Sequence, residues 1–175
     1  MINVSLNNLS LIEIPANQTI RGIEDYVLIQ ADGTPVHGFD MYCRKLMKDH
    51  EYGTAINYIG HVAKFLDYLS EVAIVAPAHG IDFVDALFLS EVIGAYRDFL
   101  QSGVHNESDL IREVAVNLSR TPLKQSSTVP HIAAVNGYLI YSEEIHMRLL
   151  ELDGIEDLGL ISTDRLFPDA GKLVP

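Results

Sequence analysis

Residues 54–69, TAINYIGHVAKFLDYL, constrain the fold more than any other stretch. Ile56, Ile59, Val62, Ala63, Leu66 and Leu69 recur at 3.6-residue spacing and form one apolar side of an α-helix. Such a side has to be buried against other elements, so a mainly helical body is expected. Thr54, Asn57, His61 and Lys64 fall on the opposite side. That row carries hydrogen-bonding groups and one cation but no carboxylate. A helix that meets only water ordinarily mixes both charges.

The charge of the chain is distributed unevenly. The net charge is -12 over 175 residues, whereas domains that bind nucleic acid are usually basic. Residues 40–69 and 114–142 together hold half of the 12 Lys and Arg residues but only a sixth of the 24 acids. The second of these segments carries Arg120 and Lys124 and no Asp or Glu at all. These are not basic patches; they are the places where acid is missing. The length fits one domain, with or without an appendage. A single cysteine, Cys43, excludes an internal disulfide and fits a reducing compartment. No apolar run approaches the roughly 20 residues needed to span a bilayer, and the first residues lack a basic-then-apolar signal pattern. A cytoplasmic location without membrane association is expected.

Along the chain, residues 1–38 read as extended. Ile2, Val4 and Leu6 alternate with polar residues, which predicts a half-buried strand. Leu11, Ile12 and Ile14 lead to a strand end at Pro15. Asp32-Gly33 between apolar runs predicts a hairpin. The segment reads either as a small cap of strands on a helical body or as an arm that docks on a neighbouring subunit. A short helix over 39–48 follows, capped by Asp40. The helix at 54–69, with Thr54 as cap, runs to about Val75, where Pro77, His79 and Gly80 end it. Ser90 is expected to cap a helix through Gln101, ended by Gly103. Ser108 opens another helix, with Leu110, Ile111, Val114, Ala115 and Leu118 inward. The last long helix is capped by Ser127, which puts Pro130 in its first turn. It continues through Ile132, Val135, Leu139, Ile140 and Ile145 to about Leu152. The body therefore has four or five helices.

The residues assemble no active site by the usual criteria. There is no Gly-rich phosphate loop and no metal-ligand spacing, His146 and Arg148 lacking a second ligand nearby. Cys43 on a short apolar helix reads as a structural thiol rather than a nucleophile. Glu143-Glu144 and Glu156-Asp157 read as solvated pairs, not as a general acid and base. No cofactor, metal or small-molecule substrate is expected. His61 reads either as a solvent-exposed residue or as a contact to phosphate or a base edge. Asn57 is a poor helix former whose amide can pair with an adenine edge in a major groove. Lys64 suits a phosphate.

Three stretches carry a family resemblance. Thr54-x-x-Asn57-Tyr58 followed by Phe65-Leu-x-Tyr-Leu69 resembles the first long helix of the core-binding domain of tyrosine recombinases, or phage integrases. Tyr96-Arg-Asp-Phe-Leu100 resembles the family's middle helix. Ser126-Ser-Thr-Val129 with Ile132-Ala-Ala-Val135 and Tyr138 resembles the helix that closes the domain. The match covers roughly residues 26–152 and rests on the order of three degenerate motifs. It implies a compact, SAM-like domain of four or five helices that forms one jaw of a clamp around double-stranded DNA, beside other recombinase subunits. By position, Thr54, Asn57, Tyr58, His61 and Lys64 would face DNA from the first long helix. Arg120, Lys124, Ser126, Ser127, Thr128 and His131 would do so at the start of the last. Ser and Thr at a helix N-terminus can offer hydroxyls and backbone N–H groups to a phosphate.

The chain also departs from the family. Pro130-His131 and Asn136 stand where members usually have Arg or Lys, which weakens phosphate binding. The family cleaves DNA with a Tyr nucleophile supported by Arg, Lys and a His-x-x-Arg pair, and no His-x-x-Arg occurs here. Strand cleavage is therefore expected to come from a catalytic domain outside this chain, which would be a fragment or a natural truncation and not itself an enzyme. The expected organisation is an extended segment over 1–38, the helical domain over 39–152 and an acidic linker over 153–175. Asn57, His61, Lys64, Lys124 and Thr128 are expected on one concave, exposed surface. The competing reading is a helical protein–protein interaction domain with no DNA contact, which the acidic total favours.

Overall fold

A computed structural model describes residues 2–81 and 86–153, with side chains within 2–81 and 88–144. The protein is mainly helical, with a two-stranded antiparallel sheet near its N-terminus. It falls into two compact units, Met1–Asp67 and Tyr68–Pro175.

In the first unit, β1 (Ser10–Ile14) pairs with β2 (Asp25–Ile29), Ile12 lying opposite Val27. Tyr26 and Leu28 alternate along β2 and are both fully buried, as a half-buried strand requires. The Asp32-Gly33 signal makes a tight turn: Gly33 has φ +86°, and Asp32 Oδ1 accepts from the Thr34 backbone N–H at 2.9 Å. Beyond the turn the chain pairs back briefly: Pro35 bridges to Ile29, flanked by Gln30 N–H donating to Thr34 O at 2.8 Å and Val36 N–H donating to Leu28 O at 2.7 Å. The hairpin expected at Asp32-Gly33 is thus short, confined to residues 34–36, and the full ladder partner of β2 is β1. Residues 2–6 keep the expected alternation, with Ile2, Val4 and Leu6 half-buried, but form no strand.

Helix α1 (Phe39–Asp49) buries Phe39, Tyr42, Cys43 and Leu46 on one face. Gly38, at φ +74°, leads into it, and Asp40 is not its cap. Asp40 sits in the first turn, 3.4 Å from the Arg44 guanidinium. Arg44 also grips Asp25 on β2, at 2.7 Å through Nη2 and 3.1 Å through Nε, which fixes α1 to the sheet.

Helix α2 (Tyr52–Val75) begins two residues before the expected start, so Thr54 lies in its first turn. Ile59, Val62, Ala63, Leu66 and Leu69 are buried, as the apolar ladder predicts, whereas Ile56 is only half-buried and Ala55, outside the ladder, is fully buried. Its last residues belong to the second unit. A 3-10 turn over Ala76–His79 and Gly80 at φ +70° end it where expected.

The second unit continues with α3 (Ala86–Gly94), α4 (Tyr96–Ser102), α5 (Asp109–Asn117) and α6 (Gln125–Asp153). The helix expected from Ser90 to Gln101 is two helices, and Ser90 lies inside the first. The break is one residue wide: the Ala95 N–H still reaches Glu91 O at 2.9 Å, just after Gly94, a weak helix former. The rings of Tyr68, Tyr96 and Phe99 cluster with centroids 4.6–5.8 Å apart. Tyr68 donates its hydroxyl to Val92 O at 2.8 Å, which satisfies the polar end of a fully buried ring. Ser108 caps α5 as expected, accepting from Ile111 N, and Leu110, Ile111, Val114, Ala115 and Leu118 are buried. The start of α6 is positioned by the end of α4. Leu123 N–H donates to Leu100 O at 2.8 Å. Gly103, at φ +51°, leaves room for the Arg120 carbonyl, 3.4 Å from where a β-carbon would stand.

Candidate nucleic-acid interface

The two groups of expected DNA-facing residues belong to different units. On α2, Thr54 and Asn57 are exposed, and Tyr58, His61 and Lys64 are half-buried. They occupy one side of the helix, at 54, 57–58, 61 and 64, and residues 52–66 contain no carboxylate. Tyr58 sets its ring at a tilt against His50, centroids 5.5 Å apart. His61 is more enclosed than its polar row predicts. Burial, reinforced by the Lys64 charge, lowers its pKa to about 4. At neutral pH the ring is therefore uncharged: it can donate to or accept from a base edge but offers no counter-charge to phosphate.

At the start of α6, Lys124, Ser126 and Ser127 are exposed and Arg120 is half-buried. The helix begins at Gln125, so Ser127 is in its first turn and not its cap; Ser127 N–H and Thr128 N–H both bond to Lys124 O, at 2.9 and 3.2 Å. Pro130 follows in the second turn, where its missing N–H leaves the Ser126 carbonyl without a helical donor.

Thr128 and His131 do not lie on an exposed surface. Thr128 is 2% exposed and His131 8%. The Thr128 hydroxyl donates to Gln125 O at 2.7 Å and accepts from Gln101 Nε2 at 3.2 Å, so it joins α4 to α6. The reason is helix phase. Thr128 and His131 stand at i-4 from Ile132 and Val135, both buried, and one face of a helix takes all four. The apolar ladder already contained that signal; carrying the motif over by position missed it.

Sequence reasoning also missed Asp67. Its side chain, 1% exposed at the end of the α2 ladder, accepts backbone N–H groups from Asn7, Asn8 and Leu9. A carboxylate inside an otherwise apolar run, where charge is rarely buried unpaired, was the available sign. Glu71, one helical turn on in the second unit, accepts from Asn117 Nδ2 at 3.0 Å. Among the described residues no His, Cys, Asp and Glu cluster could hold a metal ion, and no helix is long and apolar enough to cross a membrane. The acidic segment over 154–175 lies outside the described residues. Set against known proteins, the chain matches no family model, no curated protein and no solved structure.

Proposed function

We propose that this chain is the DNA-binding module of a tyrosine-recombinase-type protein, which holds duplex DNA while a separate catalytic domain cleaves it. The observation that carries the reading is the absence of acid from two solvent-facing places in a chain of net charge -12. One is the side of α2 bearing Thr54, Asn57 and Lys64. The other is the start of α6, bearing Lys124, Ser126 and Ser127. A phosphate backbone repels carboxylates, and these are sites where hydroxyls, an amide and two lysines can approach it unopposed. Asn57 supplies the group best suited to a base edge. Thr128 and His131 are left out of the interface because they are buried. The chain contributes no cleavage chemistry in this reading.

The experiment is fluorescence anisotropy with a mixed set of labelled duplexes across a salt series starting at about 50 mM, where electrostatic contacts are strongest. Binding that weakens steadily with salt is the expected result. No binding to any duplex at the lowest salt rejects the reading for this chain. The protein–protein alternative draws on a different observation: Val129 and Ile140 on α6 are 50% and 47% exposed.

A further inference from the structure

We propose that two copies of this chain pair through α6, antiparallel, about a two-fold axis at Ala133. The pairing uses Lys124 and Ser126, so it competes with DNA for the start of α6 and describes the DNA-free chain. Residues 125–142 contain no Asp, Glu, Lys or Arg, yet this is a surface helix. Ser126, Val129, Pro130 and Ile140 are exposed and Ala133 and Gly137 half-buried. They share one side of the helix, spaced at three and four residues. A surface helix facing only water carries charge on its outer side. Roughly five turns without any, with two large apolar side chains half in water, make a face that is covered in the working protein.

The face ends in a cation on one side and carboxylates on the other, so it is complementary to itself, which selects a second copy as the cover. Two chains of net charge -12 repel each other over most of their surface, and they can approach at low cost where acid is absent. Charge also selects the direction. The uncharged face is bounded by Lys124 at one end and by Glu143 and Glu144, both exposed, at the other. Ala133 lies midway between these ends. An antiparallel pair crossing there brings Lys124 level with the partner's Ser142, one helical step or two from the partner's Glu143 and Glu144. The positive N-terminal end of each helix then meets the exposed carboxylates of the other's Glu143 and Glu144. A parallel pair would set lysine on lysine and glutamate on glutamate. The same crossing places Ser126 level with the partner's Ile140, and Val129 level with the partner's Gly137, so large residues meet small ones. Ala133 on the axis permits the helices to approach within about 8–10 Å. One helix pair buries less than the roughly 800 Å² per partner of a standard interface, so the dimer is weak and depends on concentration.

Sedimentation equilibrium on the full chain tests this. The expected result is a monomer–dimer equilibrium that Ala133→Glu weakens at least about tenfold, by setting two carboxylates on the axis. Lys124→Glu should weaken it as well, and adding Glu144→Lys should restore it, which a misfolded variant could not do. Direction is read by mixing Ser126→Cys and Ile140→Cys chains with a short bis-maleimide. The mixture should cross-link and neither variant alone should, Cys43 being buried. A chain that stays monomeric up to its solubility limit overturns the proposal. So does a dimer indifferent to Ala133→Glu, or cross-linking of either single variant with itself.

Discussion

Asp67 holds Asn8: its Oδ1 lies 2.8 Å from the Asn8 backbone nitrogen and 3.2 Å from that of Leu9, while Oδ2 takes the N–H of Asn7 at 3.0 Å. One buried carboxylate thus fastens the extended N-terminal segment to α2 through three backbone N–H groups. Three N–H groups stand in for the water that the charge has lost. Hydrogen bonds to a charged group contribute about 1.5–3 kcal/mol. Asp67→Ala should therefore lower stability by about 2–3 kcal/mol in urea denaturation. It should also collapse hydrogen-exchange protection at residues 7–9 while leaving α5 unaffected. Unchanged exchange at those three amides would show that the segment is held by Ile2, Val4 and Leu6 instead.

His61 gives a pH dependence whose sign is fixed by burial. Its pKa in the folded protein is lowered to about 4, from the ordinary 6.5. Above pH 6.5 the ring is neutral in both folded and unfolded chains and contributes no slope. As pH falls from about 6.5 towards 4, the unfolded chain takes up a proton that the folded chain refuses, and stability drops. The loss should be on the order of 1 kcal/mol, after discounting for the part of the ring that water still reaches. His61→Gln should flatten the stability curve in that window. An NMR titration of His61 with a midpoint near 6.5 would contradict the enclosure that the structure gives it.

If α2 and the start of α6 face DNA, their residues should fail in different ways. Lys124→Ala should weaken every duplex to a similar degree and reduce the salt slope by about 1, because a lysine neutralises one phosphate whatever the sequence. Asn57→Ala should leave the salt slope alone and cost about 1–3 kcal/mol only on duplexes that the wild type prefers. Thr128→Val, by contrast, should act on folding through the lost bond to Gln101 and not on DNA affinity. A common response from all three variants would indicate a general loss of fold.

The parts of the fold that were legible in the sequence are those in which period and burial coincide. The α2 ladder, the Ser108 cap and the inward face of α5 needed no tertiary information, because a 3.6-residue stripe can be buried in only one way. Strand pairing was not legible: the Asp32-Gly33 turn is local, but the choice of β1 as partner for β2 is set by packing at a distance in sequence. The split at Ala95 was not legible because the apolar stripe Leu89, Val92, Ile93, Tyr96 and Leu100 runs through it unbroken. At the candidate interface, residue type identified Thr54, Asn57 and Lys124 as polar and exposed. For Thr128 and His131 residue type misled, since helix phase and not polarity decides which way a side chain points.

Two glycines at helix ends should respond in opposite directions to the same change. Gly103 has φ +51° and ψ -121°, a conformation that disfavours any β-carbon, and a β-carbon there would also stand 3.4 Å from the Arg120 carbonyl. Gly103→Ala should cost about 1–3 kcal/mol and loosen the Leu100–Leu123 clip that seats the start of α6. Gly94 has ordinary backbone angles and nothing within 4 Å of its missing β-carbon. Alanine there suits the helix and narrows the unfolded ensemble, so Gly94→Ala should stabilise by about 0.5–1 kcal/mol. Thermal melts of the two variants should bracket the wild type. If Gly94→Ala melts below it, the one-residue break before α4 is required by packing and is not a consequence of glycine.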